Sequence, residues 1–134
     1  PGVPPKQREL IKETTTSISA DVRVIRDPDD LPKRMFQSDF AVTTASTTTC
    51  ELLALGTPMI SVPVIENQEL IARSLQTQDL ATVLDSNPGI KDVSSAIGRY
   101  VADNKLRKDR RTRGRDLIDG QGVIRIVDLI VYVA

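Results

Sequence analysis

The sequence has no histidine and no tryptophan, a single cysteine, and aromatic side chains at only 3% of its 134 positions. Without histidine the chain lacks the commonest general base and the commonest zinc ligand, so neither histidine-based acid–base chemistry nor a metal site is expected of it. The lone Cys50 has no partner for an internal disulfide, which fits a reducing cytoplasm. Neither sign of charge dominates: Lys+Arg and Asp+Glu both total 18. The balance gives no reason to expect nucleic acid or an anionic membrane as partner. A long apolar run is missing too. The most apolar stretch, "VIRIVDLIVYVA", carries Arg125 and Asp128 and falls short of the ~20 residues a membrane span requires. The opening "PGVPPKQREL" is proline-rich and charged, unlike a signal peptide.

What is present is an alternation of helical and strand patterns over a length suited to one domain with its own core. A helix is predicted in "PPKQRELIKETTTS", entered through Pro4 and Pro5. "VRVIRD" alternates and is rich in β-branched residues, so a strand is predicted there. Asp29 or Asp30 then caps a short helix with Leu31, Met35 and Phe36 inward. "FAVTT", "MISVPV" and "LATVLD" read as short, nearly uncharged strands of the kind a parallel sheet covers on both faces. Between them lie the helical patterns "TTCELLALG", closed by Gly56 and Pro58, and "ENQELIARSLQTQD". "IKDVSSAIGRYVADNK" is amphipathic, with Val93, Ile97 and Val101 at helical spacing. The basic run "KDRRTRGR" reads as a solvated connector or helix face rather than a phosphate patch. The tail has strand-like composition, but its length and position suit a last helix. The whole is an α/β pattern of βαβ units around a parallel sheet. Because "PGVPP" is a turn that a strand would ordinarily precede, residues 1–134 are expected to be a single α/β domain cut from a longer polypeptide.

The candidate site is the stretch of small and hydroxylated residues between "FAVTT" and "TTCELLALG". In open parallel sheets, ligands bind beyond the carboxyl ends of the strands. A helix that starts there offers unpaired N–H groups and the positive end of its dipole. Ala45, Ser46, Thr47, Thr48 and Thr49 leave room for a phosphate near that backbone, and four of them add hydroxyl donors. Glu51, in the first turn, suits a pair of ribose hydroxyls. A second reading needs no ligand: Thr48 and Glu51 match the S/T-x-x-E capping box of an ordinary helix start, as in a non-catalytic binding or regulatory domain. The following strand ends in Glu66, Asn67 and Gln68, which brings amide and carboxylate groups to the same edge. This favours a site for a nucleoside diphosphate.

The run "SDFAVTTASTTTCELLALGTPMISVPVIENQ" resembles the C-terminal half of GT-B nucleotide-sugar enzymes. The likeness is to the UDP-sugar hydrolases of pseudaminic acid biosynthesis and the related spore-coat polysaccharide proteins. The lipid-linked N-acetylglucosaminyltransferases of peptidoglycan synthesis are more distant relatives. "RGRDLIDGQGVIRIVD" resembles the closing segment of that family. The resemblance implies a Rossmann-like parallel sheet flanked by helices, the C-terminal half of a GT-B architecture. It also implies a UDP-sugar as substrate, with no cofactor. Ser46 to Thr49 would hold the diphosphate, Glu51 the ribose, and Asn67 and Gln68 the diphosphate or sugar. The family carries glycine where this chain has Ser46, and an aromatic residue where it has Cys50. Its catalytic histidine lies in an N-terminal domain, so the resemblance makes that domain the partner and leaves this chain without catalytic residues of its own.

Overall fold

The computed structural model describes residues 21–133, together with Lys6 and Glu9, which are both helical and exposed. The rest of the first predicted helix lies outside the described residues. The elements run α1 (Leu31–Gln37), β1 (Ala41–Thr44), α2 (Thr48–Leu55), β2 (Met59–Val62), a 3₁₀ turn (Glu66–Gln68), α3 (Glu69–Thr77), β3 (Ala81–Val83), α4 (Ile90–Ala102), α5 (Asn104–Leu117) and α6 (Gly122–Val133). The three strands form one parallel sheet in the order β1-β2-β3. It is an α/β, Rossmann-like arrangement, with helices on both faces.

The strands are short, and the central one, β2, is the buried one, whereas β1 is half-buried with Val42 exposed. Met59 and Ile60 are fully buried, and alternation sends them to opposite faces. On one face Met59 packs with Leu52 and Leu53 of α2, Leu75 of α3, and Leu80 and Ala81. On the other, Ile60 packs with Ala96 and Tyr100 of α4, against Phe40. Helix α2 ends at Gly56, whose φ of 71° is left-handed. That geometry turns the Gly56 and Thr57 amides back onto the carbonyls of Leu53 and Leu52, at 2.9 and 2.8 Å.

Helix α5 crosses the amino-terminal edge of the sheet. Gly114 lets it settle on α2 so closely that a Cβ there would lie 3.1 Å from the Leu53 carbonyl oxygen. Arg115 donates to the Leu55 carbonyl at the carboxyl end of α2 and lies over the Phe36 ring at 5.8 Å. Arg110, only 6% exposed, donates to the Tyr100 hydroxyl, to Thr82 Oγ1 at 2.7 Å and to Asp79 Oδ1 at 3.1 Å. Tyr100 in turn donates to the Met59 carbonyl and accepts from the Thr82 amide. A single knot thus ties α4, α5, β2 and β3 together.

Several expectations are corrected. Residues 22–27 form no strand: none of the described strands pairs with them, and Val22, Val24 and Ile25 are exposed. The helix predicted through Lys105 breaks at Asp103, which leaves helical geometry and caps α5 by accepting from the Leu106 amide at 2.8 Å. The basic run is a helix, one of its two expected readings, but its face is not wholly solvated, because Arg110 turns inward from it. Helix α4 buries Ala96 and Tyr100, whereas Val101 is exposed, because the knot turns its Tyr100 face to the sheet. In α1 only Met35 reaches the core; Leu31 and Phe36 are exposed.

The tail is helical, as its position implies. At its entry the Gln121 amide donates to Asp119 Oδ1 at 3.0 Å, and Arg125 pairs with the same carboxylate. The hydrogen bond from Arg125 holds the Asp119 carboxyl below the usual carboxylate range. No residue of α6 is buried. Deleting residues 122–134 is therefore expected to change unfolding free energy by no more than about 0.5 kcal/mol, the range for surface changes. Urea titration followed by circular dichroism checks this.

Candidate functional site

Parallel pairing carries the carboxyl ends of β1 and β2 to one edge, with Thr44 opposite Val62. The Ala45 amide extends the ladder by donating to the Val62 carbonyl at 3.2 Å. The two polar loops that leave these strands are therefore neighbours.

The first loop is compact. Ala45 is fully buried and seats the chain as it leaves the sheet. The Ser46 amide closes onto the Thr44 carbonyl at 2.8 Å, and Thr44 Oγ1 donates to Ser46 Oγ at 3.3 Å. The amides of Thr49 and Cys50 return to the carbonyls of Ser46 and Thr47, so the first turn of α2 is tightened in the 3₁₀ manner. Thr49 is buried, and its hydroxyl donates to the Ser46 carbonyl at 2.7 Å. Thr49 thus holds the loop from behind and does not offer its hydroxyl to a ligand.

This leaves the amides of Thr47 and Thr48 without a backbone partner among the described residues. Thr47 is exposed, and Ser46 and Thr48 are half-buried. Two free amides, three accessible hydroxyls and the positive end of the helix dipole converge at one helix start, a ready anion cradle. The capping-box alternative is not realised. Thr47 is the N-cap in αR geometry and makes no side-chain cap bond. Glu51 is exposed and has no hydrogen-bonding partner among the described residues, so its carboxylate is available in the same first turn as the cradle.

The second loop divides its residues. Gln68 is buried, and its Oε1 accepts from the Val64 amide at 2.9 Å, which fixes the bend after β2. Glu66 and Asn67 are exposed on the 3₁₀ turn. Gln68 therefore serves the loop's shape, while Glu66 and Asn67 face outward. Sequence reading also missed the Ser61 hydroxyl of β2, which is buried without a partner. A lone serine in an apolar strand is its only signal. Among the described residues no group of three or more His, Cys, Asp or Glu is placed to hold a metal ion. None of the described helices is long and apolar enough to cross a membrane.

No protein-family model matches the chain. Over 110 residues, 81% of its length, the chain is 24% identical to the spore coat polysaccharide biosynthesis protein SpsG of Bacillus subtilis (strain 168). It spans 32% of that relative's length.

Proposed function

We propose that this chain is the UDP-sugar-binding half of a GT-B-like nucleotide-sugar hydrolase or glycosyltransferase of surface polysaccharide or glycan biosynthesis. The observation that carries the proposal is the helix start at Thr47–Thr48. Its amides are unpartnered among the described residues, and Glu51 stands free in the same turn. The similarity to a polysaccharide biosynthesis protein supports the pathway context.

In this reading the amides of Thr47 and Thr48 and the hydroxyls of Ser46, Thr47 and Thr48 hold the diphosphate. Amide donors fixed by the helix need no reorganisation to meet its oxygens. Glu51 accepts from the ribose hydroxyls. Asn67 and Glu66, on the neighbouring loop, meet the outer phosphate or the sugar. Ala45, Thr49 and Gln68 hold the two loops in place. With no histidine in the sequence, the water-activating or acceptor-activating group belongs to a second, N-terminal domain across a cleft. This half grips and orients the nucleotide.

Glu51→Gln tests the assignment. Losing a charged acceptor on two hydroxyls is expected to weaken UDP binding by about 1–3 kcal/mol, or roughly 5- to 150-fold. Because Glu51 is exposed and caps nothing, the stability of the free protein is expected to stay the same. Calorimetric titration with UDP and a urea curve read the two quantities separately. An unchanged UDP affinity would remove Glu51 from the site.

A further inference from the structure

We infer that an internal water is bound between the sheet and the first turn of α2, held by the hydroxyls of Thr43, Ser61 and Thr49. The inference does not depend on the nucleotide assignment.

Ser61 is the residue that asks for it. It is 0% exposed, and its hydroxyl has no hydrogen-bonding partner in the protein. A hydroxyl buried in this way gives up its hydrogen bonds to solvent with nothing in return, so native proteins rarely leave one unpaired. Where no protein group reaches such an atom, a bound water is the usual partner.

The register shows what surrounds it. Ser61 pairs with Thr43 on β1 and Val83 on β3, one rank beyond Ala41, Met59 and Ala81. Alternation sends the side chains of both ranks to one face, and Ala41, Met59, Ala81 and Val83 pack there with Leu52 and Leu53 of α2. Thr49 precedes Leu52 and Leu53 by three and four residues, so it lies on the same stripe of α2, one turn nearer the carboxyl edge. One rank of the sheet advances about 6.6 Å and one helical turn about 5.4 Å. Thr49 therefore stands over the rank of Thr43 and Ser61, as Leu52 and Leu53 stand over the rank of Met59. Thr49 is buried as well, and Thr43 is half-buried. Three hydroxyls meet at one level of an otherwise apolar interface.

Donors and acceptors balance around one water. Thr49 Oγ1 gives its proton to the Ser46 carbonyl at 2.7 Å, so towards the sheet it can only accept. The hydroxyls of Ser61 and Thr43 can each donate or accept. A water that donates to Thr49 Oγ1, accepts from Ser61 and bonds to Thr43 makes three hydrogen bonds, and about three is the usual number for a buried water. It ties Thr49 to β1 and β2. Because Thr49 holds the Ser46 carbonyl, the water also braces the hydroxyl loop from below.

A crystal structure of the 134-residue chain and a Ser61→Ala variant test this. An ordered water is expected within about 3.2 Å of both Ser61 Oγ and Thr49 Oγ1. A Ser61 hydroxyl bonded directly to a protein group, or one with no water beside it, overturns the inference. Stability supplies a sign. Removing a hydroxyl that has no partner raises the urea midpoint or leaves it unchanged, whereas removing one that holds a water lowers it. Ser61→Ala is expected to lower the midpoint. It should also make the Thr49 and Cys50 amides, which close the first turn of α2, exchange roughly 5- to 10-fold faster, while the Asp103 amide at the end of α4 is unchanged. A midpoint that holds or rises overturns the water site. Equal acceleration at Asp103 would make the effect global and overturn the bracing of the loop.

Discussion

Replacing Tyr100 by phenylalanine is expected to destabilise the protein by about 3 kcal/mol, well above the ~1 kcal/mol net value of an ordinary hydrogen bond. The reason is what the hydroxyl leaves behind. Its removal strips a partner from the Met59 carbonyl, the Thr82 amide and the Arg110 guanidinium together. Arg110 already has an Nε without a partner, and a buried charge tolerates further loss poorly. Removing both members of the pair leaves less unsatisfied than removing one. Adding Arg110→Met, which keeps most of the volume and removes the charge, is therefore expected to restore part of the loss. The double variant should be more stable than Tyr100→Phe alone. Urea unfolding of the four proteins in the cycle measures the coupling directly. Additive losses would show that the knot does not act as a unit. The knot ties the amino-terminal ends of the strands, opposite the candidate site, so UDP binding by the folded fraction should be unaffected.

Leu52→Ala is expected to cost about 2–5 kcal/mol. Leu52 is 1% exposed, inside the cluster formed by Leu53, Met59, Leu75 and Leu80. It also sits in the helix whose first turn carries the cradle. Unlike the Tyr100 substitution, this one should both lower the urea midpoint and weaken nucleotide binding, because a loosened α2 no longer fixes the Thr47 and Thr48 amides. Ala54, exposed on the same helix, provides the contrast: Ala54→Ser should change neither property. A small loss at Leu52 would show that the neighbours collapse into the vacated space.

The contrast between these two sites parallels what the sequence makes legible. The strands "FAVTT", "MISVPV" and "LATVLD" announce themselves as uncharged runs between turn residues, and their parallel order follows from the helices between them. The hydroxyl loop is legible for the same reason, as a polar interruption at a fixed place in that alternation. The division of labour within it is not. Ser46, Thr47, Thr48 and Thr49 look alike in sequence. The first turn of α2 turns Thr49 inward against the Ser46 carbonyl and leaves Thr47 outside. Gln68 next to Asn67 shows the same limit: the bend at Val64 claims one amide side chain and leaves the other free. Arg110 was hidden among arginines. Its only signal is the spacing Leu106–Arg110–Gly114, which sets it in the buried stripe of α5 between two residues that pack inward. "VRVIRD" shows the converse, since a strand pattern needs a paired neighbour before it becomes a strand.

The most direct test of the central claim is amide chemical-shift perturbation by UDP, measured on the labelled chain and on Glu51→Gln. The account predicts shifts clustered at Ser46–Glu51 and Glu66–Gln68, with the same residues responding only at roughly 10-fold higher UDP in the variant. A well-dispersed spectrum whose shifts fall elsewhere, or do not appear as UDP is raised to saturation of its solubility, would contradict it.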